Sequence, residues 1–164
     1  MDNEGQGSGD EARTDSRAEL RQRALRLLTR REHARLELRR KLAPHAESLD
    51  LLDEVLDELA QSGWLSEVRF VESMIHQKAG RFGSARIRRD LQLRGVSAQH
   101  SSEAVAVLKD SELDRARAVW QQKFGRAPAD LRDAAKQMRF LLGRGFAADV
   151  VRQVVPKVEV SSVP

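Results

Sequence analysis

Arginine is the residue type in this 164-residue chain whose number and spacing could do chemistry, with 23 arginines against 6 lysines. A guanidinium offers a planar fork of donors that matches phosphate or carboxylate bidentately. Arg31, Arg35 and Arg39 step by four along one helical region, and the pair Arg39-Arg40 recurs as Arg88-Arg89, followed by Arg139. Side chains at equivalent positions of stacked repeats point the same way. These seven arginines therefore predict a row of cations forming a phosphate- or acid-binding stripe. A solvated face with local ion pairs, Glu37 to Lys41 and Arg86 to Asp90, accounts for the same residues equally well.

Other chemistry is excluded on residue types. The sequence has no GxxxxGK[ST] phosphate loop, no GxSxG elbow and no dinucleotide fingerprint following a strand. His33, His45, His76 and His100 lie far apart with no i, i+4 pair, and there is no cysteine, so metal and thiol sites have no support. Asp50, Asp53, Glu54, Asp57 and Glu58 spread around the polar side of one amphipathic helix, which reads as a solvated face rather than a metal site. The aromatics are few. Phe70, Trp120, Phe124 and Phe140 fall at inward helical positions, Phe146 suits the hydrophobic partner of a helix C-cap, and Trp64 alone stays open as an exposed contact. No catalytic residue, metal or cofactor is expected, and the chain reads as a protein other than an enzyme.

The elements that must position the arginines are all helical. Apolar residues recur with a period near 3.6 and no alternating strand pattern is present. Nine helices are predicted, over about 17–31, 34–43, 48–62, 66–79, 84–93, 97–109, 111–124, 130–142 and 147–155. Ser48, Ser66, Ser97, Ser111 and Asp130 open five of them, and Gly63, Gly95 and Gly145 close three. Leu38-Arg39-Arg40-Lys41-Leu42 returns 49 residues later as Ile87-Arg88-Arg89-Asp90-Leu91, and Arg89, Leu91, Arg94, Gly95 and Val96 return 50 later as Arg139, Leu141, Arg144, Gly145 and Phe146. The expected fold is thus all-α, three tandem three-helix repeats in an elongated, curved array, because units this small bury their apolar faces on their neighbours. The expected division is repeat 1 at 19–66, repeat 2 at 67–112, repeat 3 at 113–156 and a C-terminal tail at 157–164.

Charge is uneven. Residues 1–18 hold five acids and two arginines among glycines, which predicts a disordered acidic tail. Without it the chain carries 27 Lys plus Arg against 20 Asp plus Glu, so the net charge of +4 conceals a body at +7. Residues 21–41 hold nine basic side chains, whereas residues 47–58 hold six acids and no base. No apolar run approaches the roughly 18 residues of a spanning helix, and the acidic start is unlike a signal peptide. A cytoplasmic monomer without membrane contact is expected.

The motifs carry a family resemblance. Arg30-Arg31-Glu32-His33-Ala34-Arg35-Leu36-Glu37-Leu38 with Arg40-Lys41-Leu42 resembles the N-terminal signature of the bacterial RecX regulatory proteins. Gly63-Trp64-Leu65 with Arg69-Phe70 is similar to that family's second motif. Gly80, Gly83, Ile87, Leu91 and Arg94-Gly95-Val96 resemble the third, and Phe140-Leu141 with Arg144-Gly145-Phe146 the fourth. The likeness spans about residues 20–155. Departures are Ala34, where the family commonly has a helix-capping serine, Ser66-Glu67 for paired aspartates, Val71 for alanine, and Pro44-His45-Ala46 for a basic residue and glycine. The resemblance implies a modulator that lodges along the groove of the RecA recombinase filament, restraining recombination, ATP hydrolysis and SOS-repressor cleavage in DNA repair. Arg35, Arg39, Arg40, Arg88 and Arg89 are expected to contribute most. A direct binder of single- or double-stranded DNA through a basic helical face is the alternative.

Overall fold

A computed structural model describes residues 7–158 of the chain. It bears out the all-α expectation: the described residues form nine α-helices and one 3-10 turn, with no strand. The chain divides into two compact units, Met1–Phe70 and Val71–Pro164, the boundary falling inside the fourth helix.

The first unit holds α1 (Gly7–Leu28), α2 (Arg35–Leu42), a 3-10 turn at Ala43–His45 and α3 (Leu49–Gln61), and the three α-helices pack pairwise. Leu51, Leu52, Val55, Leu56 and Leu59 of α3 form one stripe, each at most 2% exposed, against Leu20 and Ala24 of α1 and Leu38 and Leu42 of α2. Ser48 caps α3, its Oγ accepting from the Leu51 amide at 3.1 Å. Gly63, at φ +78°, ends it, and the Leu65 amide returns to the Leu59 carbonyl at 3.0 Å. The 3-10 turn, absent from the sequence expectation, forms where Pro44 cannot extend α2.

Helix α1 begins ten residues before the expected start near 17, which corrects the disordered tail over residues 7–18. Charge pairs tie this segment to α3: Arg13 and Arg17 reach Glu54 at 3.1 and 3.0 Å, and Arg17 also meets Glu58. A polar segment with little to bury is held by carboxylates that composition alone could not assign to it. Residues 1–6 of the expected tail, and 159–164 of the C-terminal one, lie outside the described residues.

The fourth helix is α4 (Glu67–Lys78), and α5 (Ser84–Leu93), α6 (Ala98–Lys109), α7 (Glu112–Lys123), α8 (Leu131–Gly143) and α9 (Ala148–Val154) complete the second unit. Ser66, Ser97 and Asp130 cap α4, α6 and α8 as expected. Ser111 does not cap α7; its Oγ donates back to the Leu108 carbonyl and accepts from Arg115. Helix α5 packs on α6, and α7, α8 and α9 pack on one another. Ile87 and Leu91 are fully buried in the former pair, and Ala116, Leu141, Val151 and Phe146 fill the latter group. There Trp120 donates its indole N–H to the fully buried Gln137 at 2.8 Å, which satisfies both polar groups inside the core.

Candidate functional site

The expected arginines divide by whether a carboxylate meets them. Helix α3 lays its acidic face along α1 and α2: Arg35 pairs with Asp57 at 2.7 Å, and Arg39 grips Asp53 bidentately at 2.8 and 3.1 Å. Arg31 pairs with Glu37, which Lys41 also reaches at 3.3 Å. Arg31 holds the Glu37 carboxyl down to about 2, with Lys41 adding to the effect against its partial burial. Arg39 likewise lowers Asp53 from the usual carboxylate range. The acidic face is thus solvent-exposed, as expected, and it is also ion-paired: Asp53, Glu54, Asp57 and Glu58 keep 40–61% of their side chains in solvent while meeting arginines of α1 and α2. By contrast Arg40, Arg88, Arg89 and Arg139 are exposed and have no ion-pair partner among the described residues.

Two family-like motifs of the first unit serve to build it. Arg69 donates to Glu32 at 2.7 Å and to the carbonyls of Gly63 and Trp64 at 2.8 and 3.1 Å, satisfying the turn that follows α3. His33 is buried, with Nδ1 2.9 Å from the Arg31 carbonyl and Nε2 3.3 Å from Lys41 Nζ, and burial lowers its pKa. Trp64 stays about half exposed, at 46%, on the surface of the same turn.

The second unit assembles its cations differently. Asp90, expected to pair with Arg86, is taken by Lys78. Arg86 instead lies over the Phe82 ring at 4.4 Å, joined by Arg144 at 5.3 Å and Arg81 at 5.6 Å. Arg144 also stands 4.9 Å from the Phe140 ring, with Lys123 at 5.8 Å. Arg81, Lys123, Arg144 and Phe140 line a cleft of about 340 Å³ that has no carboxylate in its wall. A neighbouring cleft of about 490 Å³ is lined by Arg86 and Arg89, by the exposed Leu93 and Leu142, and by the Lys78-paired Asp90. Four guanidinium or ammonium groups gathered on two rings repel one another, and an incoming anion relieves that repulsion.

Glycines fix this cluster. The Gly83 amide donates to the Arg144 carbonyl at 2.9 Å and the Ala85 amide to the Gly145 carbonyl at 3.3 Å. A Cβ on Gly83 would fall 2.2 Å from the Gly145 carbonyl, and Gly145 itself sits at φ +85° with Arg86 against it. Only glycine lets the start of α5 lie on the α8–α9 turn. Beneath it, buried Glu112 accepts from the Ser84 amide and hydroxyl at 3.2 and 2.8 Å, while Arg115 donates to the Ala79 and Phe82 carbonyls at 2.9 and 2.8 Å.

Sequence reasoning missed Arg81, Arg86 and Lys123. It had aligned Arg144 with Arg94 but gave it no role. The signal lay in Gly80 and Gly83 bracketing an Arg-Phe pair, which marks a close backbone approach beside cations. In the first unit Arg23, Arg26 and Arg30 count in the sequence only as part of the basic stretch over 21–41 and, for Arg30, of the N-terminal motif, although their spacing of three and four is visible.

The described residues form an all-α set of short helices that present cations, and among them no group of ligands could hold a metal. Residues 66–105 match the family model for the RecX second three-helix domain, and residues 110–155 that for the RecX third three-helix domain. The chain is 52% identical over 136 residues to a protein named regulatory protein RecX from Leptothrix cholodnii, covering 83% of this chain and 87% of that one. It is 48% identical over 136 residues to the protein of that name from Ralstonia pickettii, covering 83% and 86%. The crystal structure of RecX from Lactobacillus salivarius superposes with a TM-score of 0.75 at 18% identity, covering 86% of this chain and 95% of that one. The chain belongs to the RecX family of regulatory proteins, which are not enzymes. No described helix is long and apolar enough to cross a membrane.

Proposed function

We propose that this chain binds the RecA recombinase filament along its groove, as a cytoplasmic monomer, and modulates it, mainly by inhibiting recombinase, ATPase and co-protease activities. Membership of the RecX family is the observation that carries this reading. The cation clusters supply its physical side, since a filament of acidic protein and nucleic acid is met by arginines that have no carboxylate of their own. Within the expected set, Arg40, Arg88, Arg89 and Arg139 lead the contact. Arg31, Arg35 and Arg39 join it only by releasing Glu37, Asp57 and Asp53, which reduces their net contribution.

Co-sedimentation with assembled RecA on single-stranded DNA tests the partner. The protein is expected in the pellet, and its absence there at micromolar concentration would overturn the reading. Charge reversal of Arg40, Arg88, Arg89 and Arg139 together is expected to raise the concentration needed to inhibit strand exchange at least tenfold; unchanged inhibition removes the residue assignment. Direct action on DNA, the alternative, requires tight binding to bare DNA with a steep salt slope.

A further inference from the structure

The first unit contains a second set of cations, of which Arg23 and Arg26 lie outside the family-like motifs and the repeat pattern, while Arg30 and Lys41 belong to the N-terminal motif. Arg23 and Arg26 of α1, with Arg30 just beyond its end, face Lys41 of α2 and His45 of the 3-10 turn across a cleft of about 260 Å³ floored by Leu27 and Leu42. Arg23, Arg26 and Arg30 are exposed and have no hydrogen-bond or ion-pair partner through their guanidinium groups among the described residues. Lys41 shares Glu37 with Arg31, and no carboxylate lines the cleft. A basic residue in a helix's last turn is ordinary, since it offsets the macrodipole there. That accounts for one or two of these groups; it does not account for four strong cations on both walls of one groove.

We infer that this cleft seats the phosphodiester backbone of a single nucleic-acid strand. Arg23 and Arg26 lie one turn apart on α1, and Arg30 follows four residues later just past its end, so the three form a row along one wall. Such a row of cations suits the backbone of a strand, which carries one phosphate charge per nucleotide along its length. The cleft has no phenylalanine, tyrosine or tryptophan to stack on bases, so recognition is of the backbone without sequence preference. The apolar floor suits the deoxyribose edge between phosphates. This deepens the filament reading by giving the first unit a nucleic-acid contact, yet it concerns bare strand and needs no RecA.

The test uses the full chain and a fluorescein-labelled 20-mer of dT, followed by anisotropy from 50 to 300 mM KCl. Arg23→Gln/Arg26→Gln/Arg30→Gln is expected to weaken binding at least tenfold at 50 mM and to lower the magnitude of the log–log salt slope by about 2, at roughly 0.7 for each phosphate no longer neutralised. A control of equal charge loss, Arg117→Gln/Arg126→Gln/Lys157→Gln, is expected to leave the slope within experimental error. An equal loss in both variants would show diffuse attraction and overturn the site, as would an unchanged triple variant. A dA 20-mer is expected to bind within a few-fold of dT; strong discrimination would overturn backbone recognition. Tripolyphosphate displacing the oligonucleotide stoichiometrically at micromolar concentration would reassign the cleft to a compact oligophosphate. Circular dichroism melting of the variants confirms that the exposed substitutions leave the fold intact. Because RecA is absent throughout, this site can fail while co-sedimentation succeeds, and the reverse.

Discussion

The two compact units hold similar densities of arginine and differ in how carboxylates meet them. In the first, Arg13, Arg17, Arg35 and Arg39 are spent on the acidic face of α3, so an apparently basic helix pair presents little field on that side. In the second, Arg81, Arg86 and Arg144 crowd a phenylalanine ring instead. What a basic stretch does depends less on how many cations it holds than on whether the fold brings carboxylates to them. Exposed ion pairs of this kind contribute only about 0.2–1 kcal/mol each, but they cancel the charge a partner would feel.

The difference between the units depends most on Gly83. Gly83→Ala places a methyl group 2.2–2.3 Å from the backbone of Gly145 and Phe146, with no flexible side chain able to yield. The second unit is expected to lose about 3 kcal/mol, near the upper range for overpacking, as the start of α5 leaves the α8–α9 turn. In a Trp64→Phe background, Trp120 reports that unit alone, and urea denaturation should show the loss there. A Trp120→Phe background, reporting through Trp64, should show the first unit unchanged. If Gly83→Ala melts like the parent, the glycine contact does not hold the cation cluster together.

How much of this was legible follows the range of the interactions. Ser48, Ser66, Ser97 and Asp130 act within one helical turn, so their caps could be read directly. So could the inward stripe of α3. Ser111 misled because its hydroxyl found the Leu108 carbonyl first. The pairings that decide the site are long-range: Arg17 to Glu54 spans 37 residues, and the Gly83 to Arg144 bond spans 61 positions in a turn that no local pattern indicates. The i, i+4 rule gave Glu37 to Lys41 correctly but also offered Arg86 to Asp90, which Lys78 pre-empts from α4. Local rules nominate partners and tertiary packing chooses among them.

A smaller effect sharpens the first unit's side. Glu37 has its pKa lowered to about 2 by Arg31 and Lys41, below its unfolded value. A depressed carboxyl stabilises the fold above the unfolded pKa, near 4.3, and the contribution fades as pH falls toward 2. Because Arg31 is 44% exposed and solvent screens the pair, about 1–2 kcal/mol is expected to disappear across that window. Chemical denaturation between pH 6 and 2.5, read through Trp64, should show the fall. Glu37→Gln should remove most of it, and an unaltered pH profile in that variant would show that the ion pair does not carry it.

The smallest expected effect concerns the start of α2, where the chain has alanine instead of a capping side chain. Ala34 has the extended backbone of an N-cap, φ −69° and ψ 146°, but its side chain makes no cap hydrogen bond. A serine hydroxyl there would lie within reach of the Glu37 amide. Ala34 is only 2% exposed, so one added oxygen must be accommodated in a packed site, which offsets part of the gain. Ala34→Ser is expected to stabilise the first unit by about 0.5–1 kcal/mol, read by Trp64 in the Trp120→Phe background, and to leave the second unit unmoved. Destabilisation would mean that packing around Ala34 and the buried His33 beside it, not the missing cap, governs this helix start, and that the first unit relies on its ion pairs with α3 to hold α2 in register.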